Sequence, residues 1–238
     1  MDVAVVTVGN ELLAGDTVNT NAAWLCERLD RRNVDVRRVT VVPDDVSEIA
    51  RVVNEYRADY DAVLVTGGLG PTHDDVTTEA VAAALGRPLV DSERARDWLT
   101  EHGYAAADLA PGTTHLPEGA RPLHNEVGVA PGCVADSVYV LPGVPAEMEA
   151  MFESVADEFA DGERLRESVL VDEYESALVD RLETLRERFD VWVGSYPGEY
   201  VRLRVRAEDG DELARATAWL RERVDAVEEP EEPEEPEA

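Results

Sequence analysis

Asp61-Ala62-Val63-Leu64-Val65-Thr66-Gly67-Gly68-Leu69-Gly70-Pro71-Thr72-His73-Asp74-Asp75-Val76-Thr77 is the stretch whose reading decides the fold. Its short apolar run, Ala62 to Val65, fits a strand buried in a parallel sheet. Three glycines in four positions follow, then Pro71 and two acids at the start of an apolar helical pattern. Glycines there let the backbone turn tightly and approach a ligand, and N–H groups at a helix start favour anions. Asp74 and Asp75 would repel a phosphate placed beside them. Phosphate and carboxylates share one loop when a divalent cation lies between them. The strand, glycine loop and helix therefore imply a metal-assisted phosphate site at the edge of an α/β sheet.

Outward from that loop, the first two thirds of the chain alternate strand and helix patterns. Strands are expected over Asp2–Val8 and Val34–Val42, and helices over Asn21–Arg32 and Val46–Arg57. Asp45 and Glu48 form a variant of the capping box. A helix from about Val76 to Leu85 is stopped by Gly86, and another runs from Ser92 to near Gly103. Tyr104 to Gly132 is rich in Pro and Gly and reads as long loops. A strand, Ser137–Leu141, then leads into an acidic helix, Ala146–Phe159. This alternation implies βαβ units and a largely parallel sheet covered on both faces.

Asp161-Gly162-Glu163 marks a boundary, giving domains over residues 1–161 and 162–227. The second is a small α+β unit: strand Ser168–Asp172, helix Ser176–Phe189, strands Val191–Gly194 and Val201–Ala207, helix Glu212–Val227. Its Val201–Arg206 strand alternates apolar and arginine residues, and the arginine row reads as a solvated or interdomain face. Residues 228–238 are Glu-Glu-Pro repeats, read as a disordered, solubilising acidic tail because proline and like charge both oppose a helix.

Composition sharpens the picture. The 238 residues carry 52 acids against 22 basic residues, all of them Arg, for a net charge of -30. Such a surface argues against nucleic acid and anionic membranes as partners. A GC-rich genome would favour Arg, but the absence of Lys beside abundant Asp favours adaptation to molar salt, where screening removes self-repulsion. The expectation is halophilic behaviour. No run approaches a membrane span and no leader pattern is present, so the expected location is cytoplasmic. Cys26 and Cys133, without CxxC spacing, read as small buried hydrophobes.

Several other segments could join the loop. Parallel strands deliver their C-terminal loops to one sheet edge, so Gly9-Asn10-Glu11-Leu12-Leu13-Ala14-Gly15 should neighbour Gly67–Asp75. Glu11 could accept hydrogen bonds from a sugar or base, or be an exposed acid in a turn. Asn19-Thr20-Asn21 supplies an ordinary N-cap, and one of Asp74 and Asp75 could do the same for its helix. In Leu141-Pro142-Gly143-Val144-Pro145, Gly143 would admit a ligand close to the backbone, and Glu147 suits a helix dipole. His73, His115 and His124 lack metal-ligand spacing. The absence of GxSxG, Walker A and GxGxxG patterns disfavours α/β-hydrolases, P-loop NTPases and dinucleotide-binding enzymes.

Taken in order, the Gly9–Gly15, Asn19–Asn21 and Thr66–Thr77 segments, Leu116-Pro117-Glu118-Gly119-Ala120, Asn125-Glu126-Val127-Gly128, Ala130-Pro131-Gly132 and Leu141–Pro145 with Glu147 resemble one family. It is the molybdopterin-binding, MoaB/Mog-like domain of CinA (competence/damage-inducible) proteins. The resemblance implies a three-layer αβα sandwich followed by a smaller α+β domain. It implies metal-dependent ADP-ribose pyrophosphatase activity, with a divalent cation (Mg²⁺, Mn²⁺ or Co²⁺) and potassium. A molybdopterin-binding module and a Mog-like adenylyltransferase are the alternatives. Asp75, with Asp74, would be catalytic and hold the metal. Glu11, Asn21, Thr66, Gly67, Gly68, Gly70, Pro71, Thr72, Asn125, Gly128, Pro142, Gly143 and Glu147 would hold a nucleotide or pterin, in a homo-oligomer. The sequence departs from the family at Ala107–His115, where side chains that grip phosphate are usual. It also ends before the nicotinamide mononucleotide deamidase domain that many CinA proteins carry.

Overall fold

The structure, a computed structural model, describes residues 1–105, 109–159 and 165–227. The chain divides into two compact units, Met1–Asp161 and Gly162–Ala238. In the first, β1 (Asp2–Val8), α1 (Asn10–Ala14), α2 (Thr20–Arg31), β2 (Asp35–Val42), α3 (Val46–Asp59), β3 (Ala62–Thr66) and α4 (Thr77–Leu85) follow one another. Then come β4 (Leu89–Asp91), α5 (Glu93–Glu101), β5 (His115–Pro117), β6 (Arg121–Leu123), β7 (Gly132–Ala135), β8 (Val138–Leu141) and α6 (Pro145–Glu153).

Six strands form one sheet in the order β2-β1-β3-β8-β7-β6. Its first four strands run parallel, with Val3 opposite Ala62 and Thr66 opposite Leu141. The β7 and β6 strands run antiparallel to them, so the sheet is less uniformly parallel than the sequence suggests. Alternation along β1 and β3 sends Val3, Val5 and Leu64 into one core, with Leu25 and Leu29 of α2 and Phe152 of α6. It sends Val6, Val63 and Val65 into the other, with Ile49 and Val53 of α3 and Val81 of α4. Burial on both faces explains why these strands are continuous apolar runs, and it makes the unit a three-layer αβα sandwich.

Several expectations need correction. Tyr104–Gly132 contains β5 and β6, and β4 and β5 form a small ribbon of their own. Three-residue strands are too short to show the period-two pattern. The helix expected over Ala146–Phe159 ends at Glu153 and is followed by a 3-10 turn, Ala156–Glu158. There the Ser154 hydroxyl donates to the Met151 carbonyl at 2.7 Å, a side-chain bond that competes with helix continuation. Phe159 then folds back to stack on Phe152, centroids 5.5 Å apart.

The second unit comprises β9 (Leu165–Val171), α7 (Glu175–Arg188), β10 (Trp192–Tyr196), β11 (Val201–Ala207), α8 (Gly210–Arg221) and β12 (Ala226–Val227). Its sheet has the order β10-β11-β9-β12, every pair antiparallel. The helix read over Glu212–Val227 stops at Arg221, and the chain then adds an edge strand beside β9. The acidic tail lies outside the described residues. Among those described, no helix is long and apolar enough to cross a membrane.

Candidate functional site

The C-terminal ends of β1, β2, β3 and β8 open on one edge of the sheet, and their loops enclose a cavity of about 580 Å³. Its walls include Glu11, Asn21, Thr66, Gly67, Gly68, Gly70, Pro71, Asp74, Asp75, Gly128, Pro142, Gly143 and Glu147. Glu11 and Glu147, 136 positions apart in sequence, thus meet as parallel topology demands. Thr72 faces a second cavity, also about 580 Å³, across the Gly68–Pro71 backbone. Asn125 lies behind the wall, 2 % exposed.

The glycine loop is held by close approach. Gly67 has φ +107°, and a Cβ there would stand 2.3 Å from the Val8 carbonyl oxygen. Its N–H donates to the Leu141 carbonyl at 3.2 Å, fastening the β3 loop to β8. Thr66, 2 % exposed, donates its hydroxyl to the Pro142 carbonyl.

Neither acid of the Asp74–Asp75 pair caps α4. The cap position is Val76, without a side-chain bond. Asp75 instead accepts from Thr72 through the backbone N–H at 3.0 Å and through the Thr72 hydroxyl. A Cβ on Gly70 would stand 2.6 Å from Asp75 Oδ2, so the loop passes directly beneath that carboxylate. The Thr72 hydroxyl and the backbone N–H of Asp74 hold the exposed Asp74 carboxyl below its usual range.

Asn21 does not cap α2. Asn19 does, accepting from Ala22 N–H at 3.1 Å. Asn21 Nδ2 reaches across to the Gly143 carbonyl at 2.8 Å and Thr66 Oγ1 at 3.3 Å. Its Oδ1 is buried with no protein partner among the described residues. An orphaned acceptor in the wall of a cavity suits an N–H or O–H of a ligand. Asn125 acts through another residue: its Nδ2 donates to Glu147 Oε2 at 2.7 Å and to the Ala130 carbonyl at 3.0 Å. Its Oδ1 accepts from Gly128 N–H at 2.7 Å.

Sequence reasoning missed Asp44. It follows β2 onto the same sheet edge, lines the cavity, and accepts from Asn10 N–H at 2.8 Å. Parallel strands bring the loop after β2 to the same edge as the loop after β1, so strand order places Asp44 beside the glycine loop just as it places Glu11. Glu11, Asp44, Asp74, Asp75 and Glu147 give the wall five carboxylates, and its residues include no Arg or Lys. Among the described residues, no three His, Cys, Asp or Glu side chains gather as a complete metal site. The donor set fits a magnesium-like cation held by one or two carboxylates and completed by ligand phosphate oxygens and water.

Comparison with known proteins follows this geometry. Residues 4–161 match the family described as "Probable molybdopterin binding domain". A protein of Archaeoglobus fulgidus is 40% identical over 218 residues, 91% of this chain and 95% of that one. One from Thermococcus kodakarensis is 42% identical over 246 residues, 94% of this chain and 98% of its own length. The crystal structure of CinA from Thermoplasma acidophilum, a protein of unknown function, superposes with a TM-score of 0.62 at 40% identity. That match covers 66% of this chain and 97% of the other. With its three-layer sandwich and its glycine loop at the sheet edge, the chain belongs to the probable molybdopterin-binding domain family, as a CinA-like member.

Proposed function

We propose that the protein hydrolyses a nucleotide-sugar pyrophosphate of the ADP-ribose type, with a divalent cation held at Asp74 and Asp75. The observation that carries this reading is the carboxylate-rich cavity around a glycine loop in which Thr72 holds Asp75 in place. An anionic ligand can enter such a wall only with a cation.

Mg²⁺, Mn²⁺ or Co²⁺ bound there would neutralise the diphosphate and lower the pKa of a bound water. The chain's own residues do the rest. Thr72 fixes the direction of the Asp75 carboxylate, and backbone N–H groups around Gly68 and Gly70 hold non-bridging phosphate oxygens. Glu11 and Glu147, the latter positioned by Asn125, accept hydrogen bonds from ligand hydroxyls. Attack of water forms one P–O bond and breaks the bridging one, releasing AMP and ribose 5-phosphate.

A second reading has its own support. The buried, unpartnered Asn21 Oδ1 suits an N–H of a pterin as well as of a base, and the family is described by molybdopterin binding. The protein would then be a binding module or a Mog-like adenylyltransferase. Incubation with ADP-ribose and each divalent cation in concentrated salt separates these functions. The hydrolase releases AMP, and Asp75→Ala lowers that rate by about 10²-fold or more. Tight pterin binding without AMP release points to the module, and molybdopterin-dependent ATP consumption to the transferase.

A further inference from the structure

Among the described residues the two larger sheets end in four edge strands, β2, β6, β10 and β12. An open edge invites pairing with another chain unless charge, proline or brevity blunts it. β2 carries Asp35, Arg37 and Arg38, β6 has three residues including Arg121 and Pro122, and β12 has two residues. β10 is different. Its five residues, Trp192-Val193-Gly194-Ser195-Tyr196, hold neither charge nor proline, in a chain of net charge -30.

One contact shows which backbone groups of β10 face the edge. Arg186 of α7 donates to the Val193 carbonyl at 2.9 Å. A carbonyl engaged in the β11 ladder is out of such reach, so Val193 turns its N–H and C=O toward the edge, and alternation does the same for Ser195. The side chain of Ser195 faces α7, where Val179, Arg186 and Ser195 line a groove of about 430 Å³. The Ser195 hydroxyl is buried with no partner among the described residues. Trp192 and Tyr196 project from the other face, 48% and 42% exposed. Their rings lean together over Gly194, where a Cβ would stand 2.5 Å from the Trp192 ring and 3.0 Å from that of Tyr196.

We infer that β10 pairs antiparallel with β10 of a second copy, about a two-fold axis through Gly194. In that register the strand is its own complement. Val193 of each copy faces Ser195 of the other, and such a pair exchanges both of its N–H···O=C bonds. Trp192 faces Tyr196 of the second copy, so rings from both chains close over the two glycines, a favourable cross-strand pairing. The groove gains a partner as well. Arg186 sits at Val193, so Arg186 of the second copy comes beside the Ser195 hydroxyl and supplies the donor it lacks. An edge without charge also lets two chains of net charge -30 approach with no carboxylates opposed across the new ladder. A foreign peptide could reproduce the backbone bonds, but the ring-to-ring and Arg186–Ser195 matches belong to this strand meeting itself.

Sedimentation velocity of the full chain at ~1 M KCl, where repulsion between copies is screened, gives the mass of the assembly. Ser195→Pro removes an edge N–H and leaves the β11 ladder intact, a position where proline is tolerated. It should halve the native mass and keep the native circular dichroism. Tyr196→Lys, which places a charge on the edge, should halve the mass too and covers the case of a proline variant that unfolds. Register is tested separately. Residues 192 and 196 of one chain lie about 13 Å apart, too far for a disulfide, whereas facing residues of a narrow antiparallel pair stand ~4.5 Å apart. The double variant Trp192→Cys with Tyr196→Cys should therefore form covalent dimers on mild oxidation, and neither single variant should. A native chain that stays monomeric at ~1 mM would overturn the inference. So would a native mass that survives both edge variants while the double-cysteine chain fails to cross-link, which would put the interface elsewhere.

Discussion

Gly70 shows how much a single residue decides. Its backbone is not in the left-handed region, so Ala fits conformationally, yet the added methyl must displace the Asp75 carboxylate. Gly70→Ala should therefore keep the native melting temperature while lowering ADP-ribose turnover at least about ten-fold, since a misplaced catalytic group is costly. Calorimetry and AMP assay on one preparation check both halves. Gly67→Ala behaves differently: with φ +107° and the Val8 carbonyl in the way, it should destabilise the fold by about 1–3 kcal/mol. Asn125→Ala strips Glu147 of its partner and leaves Gly128 N–H unsatisfied, costing about 1–3 kcal/mol in denaturant melts. Cys133, fully buried, has its thiol pushed up to about 12, so native protein should leave it unlabelled by thiol reagents.

At the scale of elements, α5 and β6 are linked by a stack. Trp98 of α5 lies between His102 and His124, with centroids 4.0 and 4.9 Å away. Partial burial and the nearby His102 lower the pKa of His124. The unfolded chain then takes up this proton first, so stability is full above the ordinary histidine value of ~6.5 and is lost as pH falls below it. Melting temperature should decline on acidification from about pH 6.5, and His124→Gln should flatten that slope. The carboxyls of Asp45, Asp74 and Asp91, held low mainly by Ser47 and Thr hydroxyls, add a second loss only as pH falls below ~4. Elements with caps were legible in advance: Asp45, Gly86 and Ser92 bound their helices as the residues indicate. The three-residue strands were not, because pairing with distant partners creates them.

For the whole molecule, charge is the dominant property. Ion pairs such as Arg28–Glu153 and Arg87–Asp136 join half-buried arginines to solvent-exposed acids, and each contributes about 0–1 kcal/mol at low salt. Weakening them matters less than relieving the repulsion of a net charge of -30. Raising KCl from ~0.1 to ~1 M shortens the screening length from ~10 to ~3 Å, and melting temperature should climb across that range. A flat or falling curve would remove the halophilic reading.

The sequence by itself determined the βαβ order, the two-part division of the pattern, and the glycine loop with its two acids, because each rests on local spacing and backbone chemistry. The tertiary structure decided which residues share the cavity and what they do there. It made Asn21 a brace to the Gly143 carbonyl, set Asn125 behind Glu147, and brought Asp44 to the wall. It also put β10, with a ring at each end, at a sheet edge. These are contacts between segments far apart in the chain, and only strand order and register fix them.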